Sequence, residues 1–253
     1  PPLLIGQCLM SEYFADASLE QLLDRAQDKY ALHFEPMTVD GLTLEFAQIT
    51  DMAAHVERLV DQAEQGRVQL PFWARIWPAN MMLAFSLGKL GVGEGAEVLE
   101  VGAGLGVAGV FAAAKGADVT ISDIEEDALL FARINILKND LQDRARTARV
   151  DYTQSRLDHR YQYILACEAI EREEQSRGLV KFLLKHLAPD GEAILAKDYR
   201  RKSKTFFKLA DKEFLIQEKV IGCKAESATT GELERHLISI HRLKARKQAQ
   251  GAA

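Results

Sequence analysis

The stretch richest in possible chemistry reads EVLEVGAGLGVAGV over residues 97–110. From Gly104 onward it spells G-x-G-x-x-G, the dinucleotide pattern, through Gly104, Gly106 and Gly109. From Glu100 it spells an acid followed by Gly102, Gly104 and Gly106. Glycines that leave a buried strand permit positive-φ backbone and let a ligand come close where a Cβ would stand. Asp123 lies about twenty residues on, where a carboxylate can accept hydrogen bonds from ribose hydroxyls. NAD and S-adenosylmethionine both carry a ribose, so Glu100 has to separate them. A carboxylate there meets the cationic amino end of S-adenosylmethionine, directly or through water, and repels a pyrophosphate. The expected cofactor is S-adenosylmethionine.

Such a loop works only if strands and helices deliver it to a sheet edge. From residue 79 they alternate: ANMMLAFSLGKL (helix), AEVLEV (strand), GVAGVFAAAKG (helix), DVTISD (strand), EEDALLFARINILKND (helix), RTARVDY and YQYILAC (strands). The helix QSRGLVKFLLKHLAP and the strand EAILAKDY follow, then the helix KTFFKLADK and two β-like runs, FLIQEKVIG and ERHLISIHRL. Alternation with short connections predicts an α/β, Rossmann-like, doubly wound sheet of seven mostly parallel strands. The last two strands are expected as an antiparallel hairpin at its edge, leaving no second domain for a hydride acceptor. Ahead of this, residues 1–70 read as an extension and residues 71–253 as the cofactor-binding domain. The extension holds a helix opening at Ser18, a hairpin turning at Asp40-Gly41, and the polar helix DMAAHVERLVDQAEQG.

Bulk properties bound the partners. At 253 residues, with 47% hydrophobic and 27% charged, the chain can bury a real core. A net charge of -5 argues against a general grip on nucleic acid. Cys8, Cys167 and Cys223 form no C-x-x-C pair, and the histidines lack ligand spacing, so no metal site is expected and a reducing, cytoplasmic setting fits. No apolar run approaches the ~20 residues of a membrane span. The opening PPLLIGQCLM has no basic residue ahead of its short apolar run, which argues against a signal peptide.

LPFWARIWPA (70–79), VLEVGAGLGVAG (98–109), VTISDIEEDAL (119–129), VDY (150–152) and YILACEAI (163–170) together resemble the seven-strand, class I methyltransferases. The chain is most similar to the family-16 lysine methyltransferases, including the electron-transfer-flavoprotein β-subunit type. The resemblance implies that Trp77 lines the cofactor pocket with Trp73 nearby, although both can also be read as packing residues. It implies that Glu100, Gly102, Gly104 and Gly106 hold the methionine part and Asp123 the ribose. Asp151 would take the adenine amino group while Tyr152 stacks, in place of the family's Asp-Trp pair. After the fourth strand the family shows an acid, two variable residues and an aromatic. This chain has Glu168-Ala169-Ile170-Glu171, a second acid in place of the aromatic.

Glu168 and Glu171 are therefore the expected catalytic pair. A carboxylate favours the charged form of an amine, so Glu168 is cast as an orienting acceptor rather than a strong base. Glu171, Glu173 and Glu174 also stand at a helix start, where acids are favoured by the helix dipole. Cys167 is read as a small packing side chain among the cofactor-contacting residues, not a nucleophile. The basic run KDYRRKSKTFFK (197–208) can contact an acidic substrate or nucleic acid, or stand as a solvated loop and helix face, and the second reading is favoured. The expected activity is methylation of a protein lysine. A small-molecule N-methyltransferase, an arginine-directed enzyme and a silent S-adenosylmethionine-binding module stand as alternatives.

Overall fold

The computed structural model of the protein describes residues 12–62, 70–154, 157–170, 172–226 and 233–246. Helix α1 (Leu19–Gln27) starts where Ser18 and Gln21 satisfy each other's backbone N–H groups with their side chains. Strands β1 (Leu32–Val39) and β2 (Leu42–Ile49) pair antiparallel around Asp40 and Gly41, at φ 54° and 79°. Two positive-φ residues make the tight turn whose twist matches a hairpin. Helix α2 (Met52–Gln62) follows; the rest of the expected polar helix lies outside the described residues.

The main sheet is built from β3 (Glu97–Val101), β4 (Asp118–Asp123), β5 (Ala145–Arg149), β6 (Tyr161–Cys167), β7 (Leu187–Asp198), β8 (Phe214–Glu226) and β9 (Leu233–Ala245). Their order is β5-β4-β3-β6-β7-β9-β8. The first five are parallel, and β9 runs against both of its neighbours. The hairpin folds inward, so β8 rather than the last strand forms the edge. Strand order reverses beside β3, and the crevice beyond its carboxyl end and that of β6 is where such sheets bind ligands.

Both faces are covered. One core holds Val98, Val119, Ile121 and Leu165 together with residues of α3 (Pro78–Ser86), α4 (Val107–Ala114) and α5 (Glu126–Lys138). The other holds Leu99, Val101, Ile164 and Leu195 with residues of α6 (Ser176–His186) and α7 (Lys204–Glu213). Alternating side chains explain why Val98 and Leu99 fall into different cores. The front section joins the first core: Phe46, fully buried, stacks on Phe111 at 5.8 Å. Burial of such a side chain stabilises the fold by about 1.5–3 kcal/mol.

Three boundaries differ from the sequence pattern. Strand β5 stops at Arg149, leaving Val150, Asp151 and Tyr152 as a loop, although Val150 still donates to the Asp123 carbonyl at 3.1 Å. Strand β7 begins at Leu187, five residues early, because its pairing with β6 slips between Tyr161 and Tyr163 and absorbs Pro189-Asp190-Gly191. Strands β8 and β9 pair along thirteen residues each, beyond the apolar runs. Among the described residues no helix is long and apolar enough to cross a membrane.

Candidate active site

The glycine loop has one wall on each side. Gly102, Gly104 and Gly106 stand at φ 60°, 55° and 74°, in the left-handed region that favours glycine. At Gly104 the space is closed as well: a Cβ would lie 2.6 Å from the Trp73 carbonyl oxygen. The Gly104 N–H donates to Asp123 Oδ2 at 2.8 Å. Oδ1 of Asp123 accepts from the N–H groups of Ile124 and Glu125 at 2.7 and 3.1 Å. Burial pushes the Asp123 carboxyl above its ordinary value while these three donors pull it back.

Glu100 is fully buried, on the same strand face as Val98. Its Oε2 accepts from the Gly109 N–H in the first turn of α4 at 2.8 Å, and Oε1 has no partner. Burial raises this carboxyl to about 8, with Asp123 adding to the shift. A Cβ on Gly109 would come within 2.6 Å of Glu100 Oε2. The glycine that completes the dinucleotide pattern is therefore the one that admits this acid to the helix.

The cleft beyond these strands has a volume of about 910 Å³. Gly102, Gly104, Asp123, Asp151 and Tyr152 line one half. Asp151 accepts from the backbone N–H and the hydroxyl of Thr153 at 2.8 and 2.6 Å. The Tyr152 hydroxyl donates to Gln175 Oε1 at 2.7 Å, which fixes its ring. Trp77, Cys167 and Glu168 line the other half. Trp77 precedes α3: its N–H donates to Asn80 Oδ1 and its carbonyl accepts from the Asn80 N–H, both at 2.9 Å, with Pro78 opening the helix. Burial pushes the Cys167 thiol well up, so it stays protonated.

Glu168 ends β6 with φ 53°, a backbone that non-glycine residues adopt at a cost. Its Oε1 accepts from the Asp198 N–H at 2.7 Å, and Arg201 Nη1 stands 3.5 Å from Oε2 as an ion pair. Burial raises its carboxyl, and Arg201 opposes the rise.

Nine of the expected residues, Trp73 among them, thus line one cleft. Glu100 and Gly106 are not on its wall; Glu100 stands behind the glycine loop, where it accepts from the Gly109 N–H of α4. The strand's alternation shows why: Glu100 shares the parity of Val98, which faces α4. Glu171 lies outside the described residues. The pattern missed Phe72, Arg75, Gln175, Arg201 and Lys202, all on the wall. The favoured, solvated reading of the basic run also gives way in part to its alternative. Lys197 is only 4% exposed, with Nζ donating to the Asp198 and Arg201 carbonyls, and it pins a loop whose Arg201 and Lys202 reach the cleft.

The residues fit S-adenosylmethionine: a left-handed glycine turn at Gly102–Gly104 on the cleft wall, a carboxylate at Asp123, and polar and aromatic side chains at Asp151 and Tyr152. A family model described as lysine methyltransferase matches residues 63–213, more than half of the chain. A protein N-lysine methyltransferase of Xenopus tropicalis is 30% identical over 59% of this chain and 75% of its own length. An electron transfer flavoprotein beta subunit lysine methyltransferase homolog of Caenorhabditis elegans is 36% identical over 29% of this chain and 31% of its own. In fold, the chain is similar to a Pyrococcus horikoshii protein described as an RNA methyltransferase, with TM-score 0.55 and 16% identity over 78% of this chain and 99% of that one. The sheet order, the glycine loop and the matched stretch agree, and the chain belongs to the lysine methyltransferase family of S-adenosylmethionine-dependent methyltransferases.

Proposed function

We propose that this enzyme methylates the side-chain amine of lysine in a protein substrate. The observation that carries the reading is Glu168: a carboxylate held by the Asp198 N–H, where the cleft passes from the glycine loop to Trp77. The relatives named for protein lysine methylation support it. In this reading Asp123 holds the ribose, Asp151 and Tyr152 the adenine, and the backbone of Gly102–Gly104 the methionine part.

Bound there, S-adenosylmethionine would supply a sulfonium methyl group, whose S–C bond breaks as an uncharged amine forms the N–C bond and S-adenosylhomocysteine leaves. The protein's part is alignment and exclusion of water. Glu168 accepts an N–H of the target amine and aims its lone pair. An unpaired carboxylate would hold a lysine in its charged, unreactive form, and Arg201 beside Glu168 weakens that pull. Phe72 and Trp77, with ring centroids 6.5 Å apart, give the lysine's methylene chain an apolar wall.

Methyl-labelled S-adenosylmethionine incubated with enzyme and a cell extract, then separated by size, tests the proposal. Label on lysine of a protein, lost in Glu168→Gln, is the expected result. Label confined to small molecules would overturn it, and label on arginine would move the reading to a guanidinium, which carboxylates can clamp.

A further inference from the structure

We infer that the acceptor half of the cleft selects lysines set in acidic protein surroundings; the inference rests on the protein-lysine reading above. The whole chain carries a net charge of -5, yet residues 197–208, KDYRRKSKTFFK, hold six basic residues against one acid. The structure shows where that excess goes. Arg201 and Lys202 line the cleft on the side of Glu168 and Trp77. Arg75 comes from the other direction, its guanidinium 4.7 Å from the Trp77 ring centre, and Arg201 lies 5.8 Å from the same ring. Two cations from separate segments therefore converge on one aromatic ring at the mouth.

These charges are held in place, and some are uncompensated. The loop is fixed by buried Lys197 and by Asp198, which takes Arg200 bidentately and gives its N–H to Glu168. Among the described residues neither Arg75 nor Lys202 has a carboxylate partner: Arg75 stacks on Trp77 and Lys202 on Tyr199, at 4.8 Å. The cleft's acids Asp123, Glu125 and Asp151 end or follow β4 and β5, whereas Glu168 and Arg201 follow β6 and β7 on the other side of β3; Glu173 also lines the cleft. Phe72, 62% exposed, adds an apolar contact beside the cations. A basic, aromatic rim on a molecule of net negative charge selects an acidic partner by charge complementarity. A polyphosphate backbone would meet the same cations, but the net negative charge beyond the rim opposes a long polyanion.

Mass-spectrometric mapping of every site labelled in a cell extract tests this. The expected result is labelled lysines with Asp or Glu enriched around them. Labelling at those sites should fall about two- to fivefold for each reversed charge in the Lys202→Glu and Arg75→Glu variants. Because a variant can fail to fold, the wild type carries a second measurement. Raising the ionic strength from about 0.05 M to about 0.5 M, which shortens electrostatic reach to a few ångströms, should lower labelling by a comparable factor. Labelled lysines in neutral or basic surroundings, or labelling indifferent to salt, would overturn the inference. Label released by nuclease rather than protease would overturn it in favour of nucleic acid. Label on no lysine at all removes the underlying reading as well, and the site map tells the two failures apart.

Discussion

A carboxylic acid inside a parallel strand covered on both faces has to be neutral or bonded, and Glu100 is both. Its hydrogen bond from Gly109 goes to Oε2, Oε1 has no partner among the described residues, and burial raises the group from 4.5 to about 8. At neutral pH the folded enzyme therefore keeps a proton that the unfolded chain has released. Between about 4.5 and about 8 the native state binds more protons, so this group's contribution to stability is full below 4.5 and is lost as pH rises toward 8. Glu100→Gln retains the shape and the acceptor. Its stability relative to wild type should rise across that window and level off above it, as read from denaturant midpoints at a series of pH values. A difference independent of pH would mean that Glu100 is ionised in the fold. Glu168 poses the other residue-scale test. Glu168→Gln keeps the bond from Asp198 but removes the charge facing Arg201 and the acceptor. The loss of a charge-assisted hydrogen bond, about 1.5–3 kcal/mol, predicts a tenfold to hundredfold fall in kcat/KM with cofactor affinity unchanged. An unchanged kcat/KM would remove Glu168 from its proposed role.

At the scale of elements, the glycine loop is shaped by a segment outside the sheet. Gly104 has to be glycine twice over: for its φ of 55°, and because the Trp73 carbonyl stands where a Cβ would go. The obstacle is backbone and cannot rotate away. Gly104→Ala should cost about 1–3 kcal/mol of stability and weaken S-adenosylhomocysteine binding, measured by thermal unfolding and calorimetry. Binding at wild-type strength would show that the Trp73 turn yields. Much of this level was legible in the sequence. The capping of α1 by Ser18, the hairpin at Asp40-Gly41 and the strand–helix alternation are local signals set by side-chain spacing. What escaped was decided by pairing across elements. Val150–Tyr152 continue the β pattern, but the pairing with β4 ends once the Val150 N–H has bonded to Asp123, and β7 extends into Pro189-Asp190-Gly191 because β6 reaches that far. The basic run reads as solvent-facing in composition. Only the burial of Lys197 against the loop's own carbonyls turns Arg201 inward, and no spacing in one dimension reports that.

On the scale of the whole molecule, the front section and the site are one structure, and Asn135 shows how. This fully buried side chain on α5 accepts from the Ala47 N–H of β2 at 2.8 Å and donates to the Leu105 carbonyl of the glycine loop at 2.9 Å. One turn on, Asn139 repeats the grip, binding both the N–H and the carbonyl of Glu45. Lys29 and Tyr30 reach Asp127 near the start of the same helix, so α5 carries the front section along its length. Surface ion pairs of this kind contribute about 0–1 kcal/mol each, whereas the buried amide is a different matter. Asn135→Leu keeps the branched shape but strands a buried donor and a buried acceptor, each costing about 1–3 kcal/mol. The variant should lose about 2–6 kcal/mol in denaturant unfolding, while Lys29→Ala loses about 1 kcal/mol or less. It should also bind S-adenosylhomocysteine more weakly under conditions where it is still folded, because the Leu105 carbonyl no longer has a partner holding the loop. If stability fell but affinity stayed the same, the front section would be a stabilising cover alone. A fall in both would make the hairpin, through a single amide, part of what shapes the methyl-donor site.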